Sequence, residues 1–494
     1  MESKQVELYT SLLSHNVPPR ADAMIENFRA IGYTIQTAVA DLVDNCISAN
    51  AKNVWINFDW QGQNSTISIL DDGSGMNNEE IIEAMRPGSK NPNEERDSKD
   101  LGRFGLGLKT ASFSQCRKLT TVSKKENQVA YWTWDLDYIN VVKTWQLVNL
   151  KPEKNFIDLF ENQNSGTLII WEKLDRIISN KATINNEKQK EHFYATAELV
   201  KKHLSMVFHR YIEKDKINIF FNGREIESWD PFLKGYKSLQ IIEDNLQYGT
   251  IKIKGYVLPH KSKLNDEEYK KAEGVNGWNA QQGFYIYRNE RLLVAGDWLG
   301  MFRKEDHYKL ARIMVDLPNT NDDSWQLDIK KSVAIPPNDI KEPLKSIANL
   351  IRGRAVEVFR NRGKVLLREF SNNKYQPIWQ EKILRGKRFY EVNRENEIIK
   401  NLLETAKDSK TSLNQLLRFI EESIPIDLIM IKQSESPELQ GNAFEDPNHD
   451  GVREMLKIMF QNLIKNGKTV EQAKGYLLSI EPFNLYPHYV ETLS

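Results

Sequence analysis

Three glycines within six positions are the first feature of this sequence that could support chemistry. Gly102, Gly105 and Gly107 lie in the segment GRFGLGLKTAS, which also contains Lys109 and leads into an apolar, helix-competent stretch. Glycine lets the backbone approach an anion closely, and the free N–H groups at a helix start commonly bind phosphate. The spacing matches neither the dinucleotide fingerprint nor the P-loop, so a phosphate-binding loop and an ordinary tight turn are both open on these residues alone.

An acid and an amide four positions apart form a second candidate group. The apolar face of a predicted helix consists of Ile35, Val39, Leu42 and Cys46. Asp41, Asn45 and Ser48 fall on another face of the same helix. A carboxylate and a carboxamide one turn apart can orient a water and hold a divalent cation, because hard cations prefer oxygen ligands. The alternative is a solvated helix face.

A third group follows a predicted strand directly. Asp71, Gly73 and Gly75 lie in the segment DDGSGM. The carboxylate can accept a hydrogen bond from an exocyclic amine, and a bend without side chains lets a flat ring approach the backbone. The same residues are also typical of a simple turn.

Strands and a lid are predicted around these groups. Runs of alternating or β-branched apolar residues predict strands at 54–58, 65–70, 118–123, 130–135 and 166–171. Residues 86–100 are charged, contain proline and glycine, and show no periodicity. This composition predicts a mobile lid over residues 86–108, directly at the glycine-rich loop. Residues 1 to about 30 are polar, and we interpret them as an irregular arm.

The composition of the whole chain limits the class of protein. Its 494 residues exceed the size of a single core, so two or three domains are expected. The 68 basic and 68 acidic residues cancel, which gives no general reason for nucleic-acid or membrane attraction. Two cysteines exclude a disulfide framework and favour a reducing compartment. No membrane span or signal peptide is evident, and we expect a cytoplasmic protein.

The three groups, in this order, resemble those of the GHKL superfamily of ATPases. That superfamily comprises gyrase-type topoisomerases, heat-shock chaperones of the ninety-kilodalton class, histidine kinases and MutL. The resemblance implies an α/β, two-layer Bergerat fold that binds ATP and Mg²⁺ between its helices and its lid. The superfamily's first motif has the form E-x-x-x-N, and here ADLVDNCISA places Asp41 at the general base and Asn45 at the magnesium ligand.

The resemblance also implies the other residues of the nucleotide site. Asp71 would accept from the adenine amine with help from Thr167, and Lys109 would add a phosphate contact. The full set implied to bind the nucleotide is Asn45, Ser48, Asp71, Gly73, Gly75, Met76, Gly102, Phe104, Gly105, Leu106, Gly107, Leu108, Lys109 and Thr167. Asp41 departs from the glutamate of the motif by one methylene, and a base must lie within about 3 Å of its water. Slow hydrolysis is therefore expected.

Three domains follow from the pattern: residues 1–178 bind ATP, residues 179–370 form a second αβ domain, and residues 371–494 are mainly helical. Strands are predicted at 216–222, 250–257 and 283–287, and a long basic helix at 337–370. The stretch GFYIYRNERLLVAGDW, with LARIMVDLP and DDSWQLDIKKS, resembles the transducer domain of MORC-like proteins. A transducer lysine that reaches the γ-phosphate would then be Lys330 or Lys331. Arg288 and Arg291 are open to a nucleic-acid surface or a structural pairing.

The resulting hypothesis is an ATP hydrolase that acts as an ATP-gated homodimerisation switch. The MORC-like transducer points to DNA or DNA-processing partners, including a bacterial defence system. The main alternative is a module that binds ATP with little hydrolysis and scaffolds a complex. A histidine kinase is disfavoured because His15 alone precedes the predicted ATP domain, and no client-binding feature supports a chaperone.

Overall fold

The computed structural model describes most of the chain. The described residues are 15, 17–89, 107–160, 163–179, 182–236, 239–246, 251–318, 325, 334–371, 378–384, 387–406, 409–424, 451–465, 467–479, 483 and 487–493. They form two compact units, residues 1–356 and 357–494.

The first unit begins with a seven-stranded mixed sheet. Its strands are β1 (Asn53–Asp59), β2 (Thr66–Asp71), β3 (Lys118–Lys125), β4 (Gln128–Asp135), β5 (Gly166–Glu172), β6 (Asn218–Phe221) and β7 (Arg224–Glu225). The order across the sheet is β4-β3-β5-β2-β1-β6-β7. Only the β1–β6 pair within this described sheet is parallel.

Most of the helices in this unit lie on one face of the sheet, whereas Phe156 of the short helix Lys154–Asp158 packs with the cluster on the opposite face. The helices around this sheet are α1 (Ala21–Arg29), α2 (Ile35–Ser48), α3 (Asn78–Met85), α4 (Gly107–Phe113), α5 (Leu136–Val142), α6 (Lys154–Asp158), α7 (Glu187–Val207) and α8 (His209–Glu213). Strand residues alternate between faces, so Ile169 and Trp171 join the core beneath α2 and α7. Leu168 and Ile170 pack in a smaller cluster on the opposite face. The predicted α/β two-layer fold is confirmed.

Two regions of this unit differ from the sequence analysis. Residues 21–29 form α1 rather than an irregular arm, because Ala21, Ile25 and Phe28 make a buried stripe at helical spacing. Strand β6 was predicted for the second domain, but it extends the first sheet by pairing with β1. Ile219 and Phe221 are buried in the first core, so the first sheet and its core include residues after 178, where the sequence analysis ends its first domain.

A second, five-stranded sheet follows within the same unit. Its members are β8 (Gln240–Leu246), β9 (Ile251–Val257), β10 (Gly283–Arg288), β11 (Arg291–Asp297) and β12 (Ala311–Leu317), and α9 (Asp266–Glu273) lies between β9 and β10. The strand order is β11-β10-β12-β9-β8, with β10 and β12 parallel. The long helix α10 (Asn338–Ser371) packs Ile351 against Gly255 of β9, where a Cβ would lie 2.2 Å from the Ile351 side chain.

The second unit combines a hairpin with helices. The hairpin consists of β13 (Trp379–Leu384) and β14 (Lys387–Val392), which the sequence analysis did not predict. The helices are α11 (Glu397–Thr405), α12 (Lys410–Glu422), α13 (Gly451–Lys465), α14 (Val470–Leu477) and α15 (Pro487–Glu491). Leu456, Phe460, Leu477 and Val490 form part of a small core among the last three helices. The mainly helical character expected here matches the described residues.

Candidate functional site

Helix α2 carries the residues at the centre of the site. Thr34 caps it, because the Thr37 N–H donates to Thr34 Oγ1 at 3.3 Å. The apolar stripe that the sequence predicts is buried against the sheet. Two acids of the same helix are also buried: Asp41 is 3% exposed and Asp44 1%. Charged groups are buried at this level only when other groups compensate them.

The Asp41 carboxylate is held from two sides. The Tyr33 hydroxyl donates to Asp41 Oδ2 at 2.9 Å, and Arg291 Nη2 lies 3.6 Å from Asp41 Oδ1. A Cβ added at Gly107 would lie 3.9 Å from Asp41 Oδ2. Asp41 therefore faces the first residue of α4, where the glycine-rich segment ends.

Asn45 and Ser48 lie farther along α2, toward its C-terminal end. Both are exposed, and the Ser48 hydroxyl donates to the Asp44 carbonyl at 3.0 Å. Asn45 lies one turn from Asp41, so the two side chains share a side of the helix. This arrangement leaves a carboxamide oxygen accessible beside a buried carboxylate.

Asp71 is the last residue of β2, and it is 5% exposed. The Gly73 N–H donates to Asp71 Oδ1 at 2.8 Å, while the Cys46 thiol and the Thr167 amide also face the carboxylate. Burial raises the pKa of the Asp71 carboxyl to about 6, although the Gly73, Cys46 and Thr167 hydrogen bonds oppose that rise. Ionising Asp71 therefore costs free energy because the carboxyl is buried. Once ionised, the carboxylate is a strong hydrogen-bond acceptor.

The bend after Asp71 is closely packed. Gly75 has φ of 67°, and a Cβ there would lie 2.0 Å from the Lys124 carbonyl oxygen. A Cβ at Gly73 would lie 2.8 Å from both the Ala49 Cβ and its carbonyl oxygen. Only glycine fits these two positions, and their packing fixes the bend between the end of α2 and the end of β3.

Ser123 of β3 joins this bend to β5. The Met76 N–H donates to Ser123 Oγ at 2.8 Å, and Ser123 Oγ lies 2.9 Å from Thr167 Oγ1. Thr167 is also the β5 partner of Asp71 in the sheet register. The structure therefore brings together Asp71, Met76 and Thr167, which are far apart in the sequence.

The described part of the glycine-rich segment contains Gly107, Leu108 and Lys109. Leu108 packs against the core. Lys109 is 2% exposed, and its ammonium donates to the Ala84 carbonyl at 2.9 Å, near the end of α3. The phosphate contact of Lys109 stays a prediction. The other predicted site residues lie outside the described residues: Gly102, Phe104, Gly105, Leu106, Lys330 and Lys331.

Comparison with known proteins shows a similarity over part of the chain. Residues 33–167 match the family described as histidine kinase-, DNA gyrase B- and HSP90-like ATPase. This segment is similar to a GHKL-type ATPase domain. The matched span includes Asp41, Asn45, Asp71 and Thr167. This similarity supports ATP binding, which in the GHKL family generally involves Mg²⁺.

A relative with a MORC name is also similar to the chain. ATPase morc-1 of Caenorhabditis elegans is 36% identical over 90 residues, which cover 18% of this chain and 10% of that protein. The predicted GHKL recognition, with its likeness to MORC proteins, is thus confirmed. The match spans about a tenth of that relative's length, so its whole activity does not transfer to this chain.

The GHKL domain fits an adenine nucleotide and a hard cation by its donor set. Asp71 offers a buried acceptor beside a bend that excludes side chains. Asn45 offers an accessible oxygen one turn from Asp41, which suits a magnesium ion bridged to phosphates. Among the residues that the structure describes, no helix has both the length and the apolar character needed to cross a membrane.

The sequence analysis missed several residues that surround this GHKL site. Tyr33 and Arg291 contact Asp41, Cys46 faces Asp71, and Ser123 bridges to Thr167. Tyr33 directly precedes Thr34, the cap of α2. In contrast, nothing in the sequence around Arg291 indicates its contact, because Asp41 and Asp44 lie on α2, a helix that packs against the other sheet. Arg288 and Arg291 are both buried, which argues against a nucleic-acid surface at these residues, and Arg291 forms an ion pair with Asp44.

Proposed function

We propose that this protein binds ATP beside α2 and the bend after β2, and hydrolyses it slowly with Mg²⁺. The observation that carries the proposal is the buried Asp41 carboxylate, which the Tyr33 hydroxyl holds at 2.9 Å. A further neighbour is Gly107, the last glycine of the glycine-rich segment, where an added Cβ would lie 3.9 Å from Asp41 Oδ2. A carboxylate fixed by a hydrogen bond next to a predicted phosphate site suits a general base.

Each residue has a separate role in this proposal. Asp71 accepts the adenine amine, and Gly73 and Gly75 keep the bend clear of side chains. Asn45 would help to hold Mg²⁺, which when bound would neutralise phosphate charge. Asp41 accepts the proton of the attacking water. A lysine from Lys330 or Lys331 is proposed to contact the γ-phosphate.

A module that binds ATP with little hydrolysis is the second candidate. The Asp41 side chain is one methylene shorter than the glutamate of the GHKL motif, so its carboxylate reaches less far toward an attacking water. This shorter reach favours slow turnover or none.

Phosphate release with separate binding measurements distinguishes the two candidates. We expect the wild-type protein to release phosphate slowly and only with Mg²⁺. Asp41→Asn should lower kcat by roughly 10²–10⁴-fold, the usual contribution of a general base, while nucleotide affinity stays close to wild type. Asp41→Glu restores the glutamate of the GHKL motif and tests whether the shorter reach of the aspartate carboxylate limits kcat. The control is Asp59→Asn, an exposed aspartate at the end of β1.

The outcome that refutes hydrolysis is specific. If the wild-type protein binds nucleotide but releases no phosphate above the level of Asp41→Asn, the protein is a binding module. If neither binding nor release is found, the proposed ATP site itself is wrong.

We further propose that ATP drives homodimerisation, since GHKL ATPases commonly dimerise, and that the protein acts in DNA-related processing or bacterial defence. The arm and lid of two copies would meet when ATP is bound. Sedimentation with and without a non-hydrolysable ATP analogue tests the switch, and a monomer under both conditions contradicts it. Stimulation of phosphate release by duplex DNA tests the DNA link, and an unchanged rate argues against it.

A further inference from the structure

Arg291 connects the two sheets of the first compact unit at the proposed base. It is the first residue of β11 in the second sheet, and its side chain is 5% exposed. Its Nε donates to Asp44 Oδ1 at 2.7 Å, and its Nη2 lies 3.6 Å from Asp41 Oδ1. One guanidinium therefore faces two buried acids of α2.

The charges explain why a cation is needed at this place. Asp41 and Asp44 are three residues apart on one helix, and both are nearly inaccessible to water. Two buried carboxylates at this spacing repel each other, and removing each from water is costly unless a cation compensates. His203 does not supply that charge at neutral pH, because burial, followed by Arg291, lowers its pKa to about 4.

The orientation of the guanidinium is fixed by several contacts. Nη1 donates to the Leu292 carbonyl at 3.2 Å, and the Phe208 ring centroid lies 5.8 Å from the guanidinium carbon. The strong Asp44 contact fixes Nε. With these atoms held, Nη2 is left facing Asp41, so the planar group presents charge to the base from a defined direction.

The turn that carries Arg291 is attached to the first sheet's layer. The Tyr211 hydroxyl donates to the Asn289 carbonyl at 2.7 Å, and Glu290 forms ion pairs with Lys214 and Lys216. A movement of this β10–β11 turn relative to α2 would move Arg291 with it. The base would then lose or regain its cationic neighbour.

We propose that Arg291 is a positioning residue that orients Asp41 and so couples hydrolysis to the docking of the second sheet on α2. The proposal rests on the proposed function, in which Asp41 is the base. It assigns to the second sheet a contact with the base that is separate from the predicted lysine contact with the γ-phosphate.

The test removes the cation together with Asp44, the acid to which it donates, while Asp41 keeps the hydrogen bond from the Tyr33 hydroxyl. Arg291→Met alone leaves Asp44 uncompensated and can destabilise the fold, so the decisive variant is Arg291→Met with Asp44→Leu. Replacing a buried ion pair by apolar residues is often neutral or stabilising. Arg291→Lys tests whether charge without the planar fork suffices. The matched control is Arg210→Met, which removes an arginine paired with Asp316 between α8 and β12.

The measurements are kcat and KM for phosphate release, the Kd of a fluorescent non-hydrolysable ATP analogue, and Tm. For the double variant we expect at least about a tenfold loss in kcat, a Kd within about threefold of wild type, and a Tm close to wild type. Arg291→Lys should recover part of the rate, and Arg210→Met should retain the wild-type rate.

Other outcomes overturn the inference. A double variant with wild-type or higher kcat shows that Arg291 does not position the base. If Arg210→Met loses as much kcat as the double variant, the loss comes from a general weakening of the docking of the second sheet and not from Arg291. If the wild-type protein shows no magnesium-dependent phosphate release, the proposed function is wrong, and this inference fails with it. If the wild-type protein releases phosphate and the double variant does so at the same rate, only the role of Arg291 is wrong.

Discussion

Nucleotide affinity should depend on the ionisation of Asp71. Burial raises the pKa of this carboxyl from 3.8 to about 6. An adenine amine donates hydrogen bonds, and the ionised carboxylate accepts them more strongly than the neutral acid does. Because an acid gains its proton as the pH falls through its pKa, binding should weaken below about pH 6.

The size of the effect follows from the ionised fraction. With the pKa of Asp71 at about 6, this fraction is about 0.9 at pH 7 and about 0.1 at pH 5. When only the ionised form binds, the apparent Kd is the intrinsic Kd divided by the ionised fraction. The contribution of Asp71 should therefore weaken binding by up to roughly tenfold between pH 7 and pH 5.

The same pKa has a consequence for the nucleotide-free fold. The folded-state pKa of Asp71 lies above its unfolded value, so its contribution to stability is full below about pH 4 and is lost as the pH rises through about 6. A difference of about two pKa units corresponds to roughly 3 kcal/mol at pH 7. Relative to Asp71→Asn, the wild-type protein should thus gain stability as the pH falls from 7 to 4.

The assay is a titration with a fluorescent adenine nucleotide between pH 5 and pH 7.5, performed on the wild type and Asp71→Asn. Protonation of the nucleotide phosphates affects both proteins equally, so the difference between the two profiles belongs to Asp71. At pH 7 the variant should bind about 10–100-fold more weakly, because a hydrogen bond to a charged group contributes about 1.5–3 kcal/mol. Parallel profiles would refute the assignment of Asp71 as the nucleotide acceptor.

Two further substitutions test the surroundings of the site. Gly75→Ala should lower the free energy of unfolding by roughly 2–4 kcal/mol in urea titrations, because its Cβ would meet the Lys124 carbonyl oxygen at 2.0 Å. Gly32→Ala is its control: φ is 80° there but no atom lies within 4 Å, so a loss of only about 1 kcal/mol is expected, and equal losses would contradict the steric argument. Tyr33→Phe removes the hydroxyl on Asp41 and should lower kcat about tenfold with a stability loss of about 1 kcal/mol; an unchanged kcat would show that the hydroxyl does not orient the base.

The sequence by itself determined most of the elements of the first sheet, and it named candidate site residues that the structure brings close together. Period-two apolar runs predicted β1 to β5 to within a few residues, because one or both faces of each strand are buried. Helix α2 was predicted from the stripe that includes Val39 and Leu42, which is buried. The resemblance named Asp71 and Thr167 as neighbours, and they are partners in the β2–β5 register.

Only the tertiary structure decided what surrounds Asp41 and Asp44, the two buried acids of α2. Arg291 and Asp44 are 247 positions apart, and no local pattern encodes a contact that depends on how the second sheet packs against α2. The sequence predicts a phosphate contact for Lys109, and only the structure shows that its ammonium donates a hydrogen bond to the Ala84 carbonyl. Periodicity reports which side of an element is buried, whereas the partner of a buried charge is set by the element that packs there.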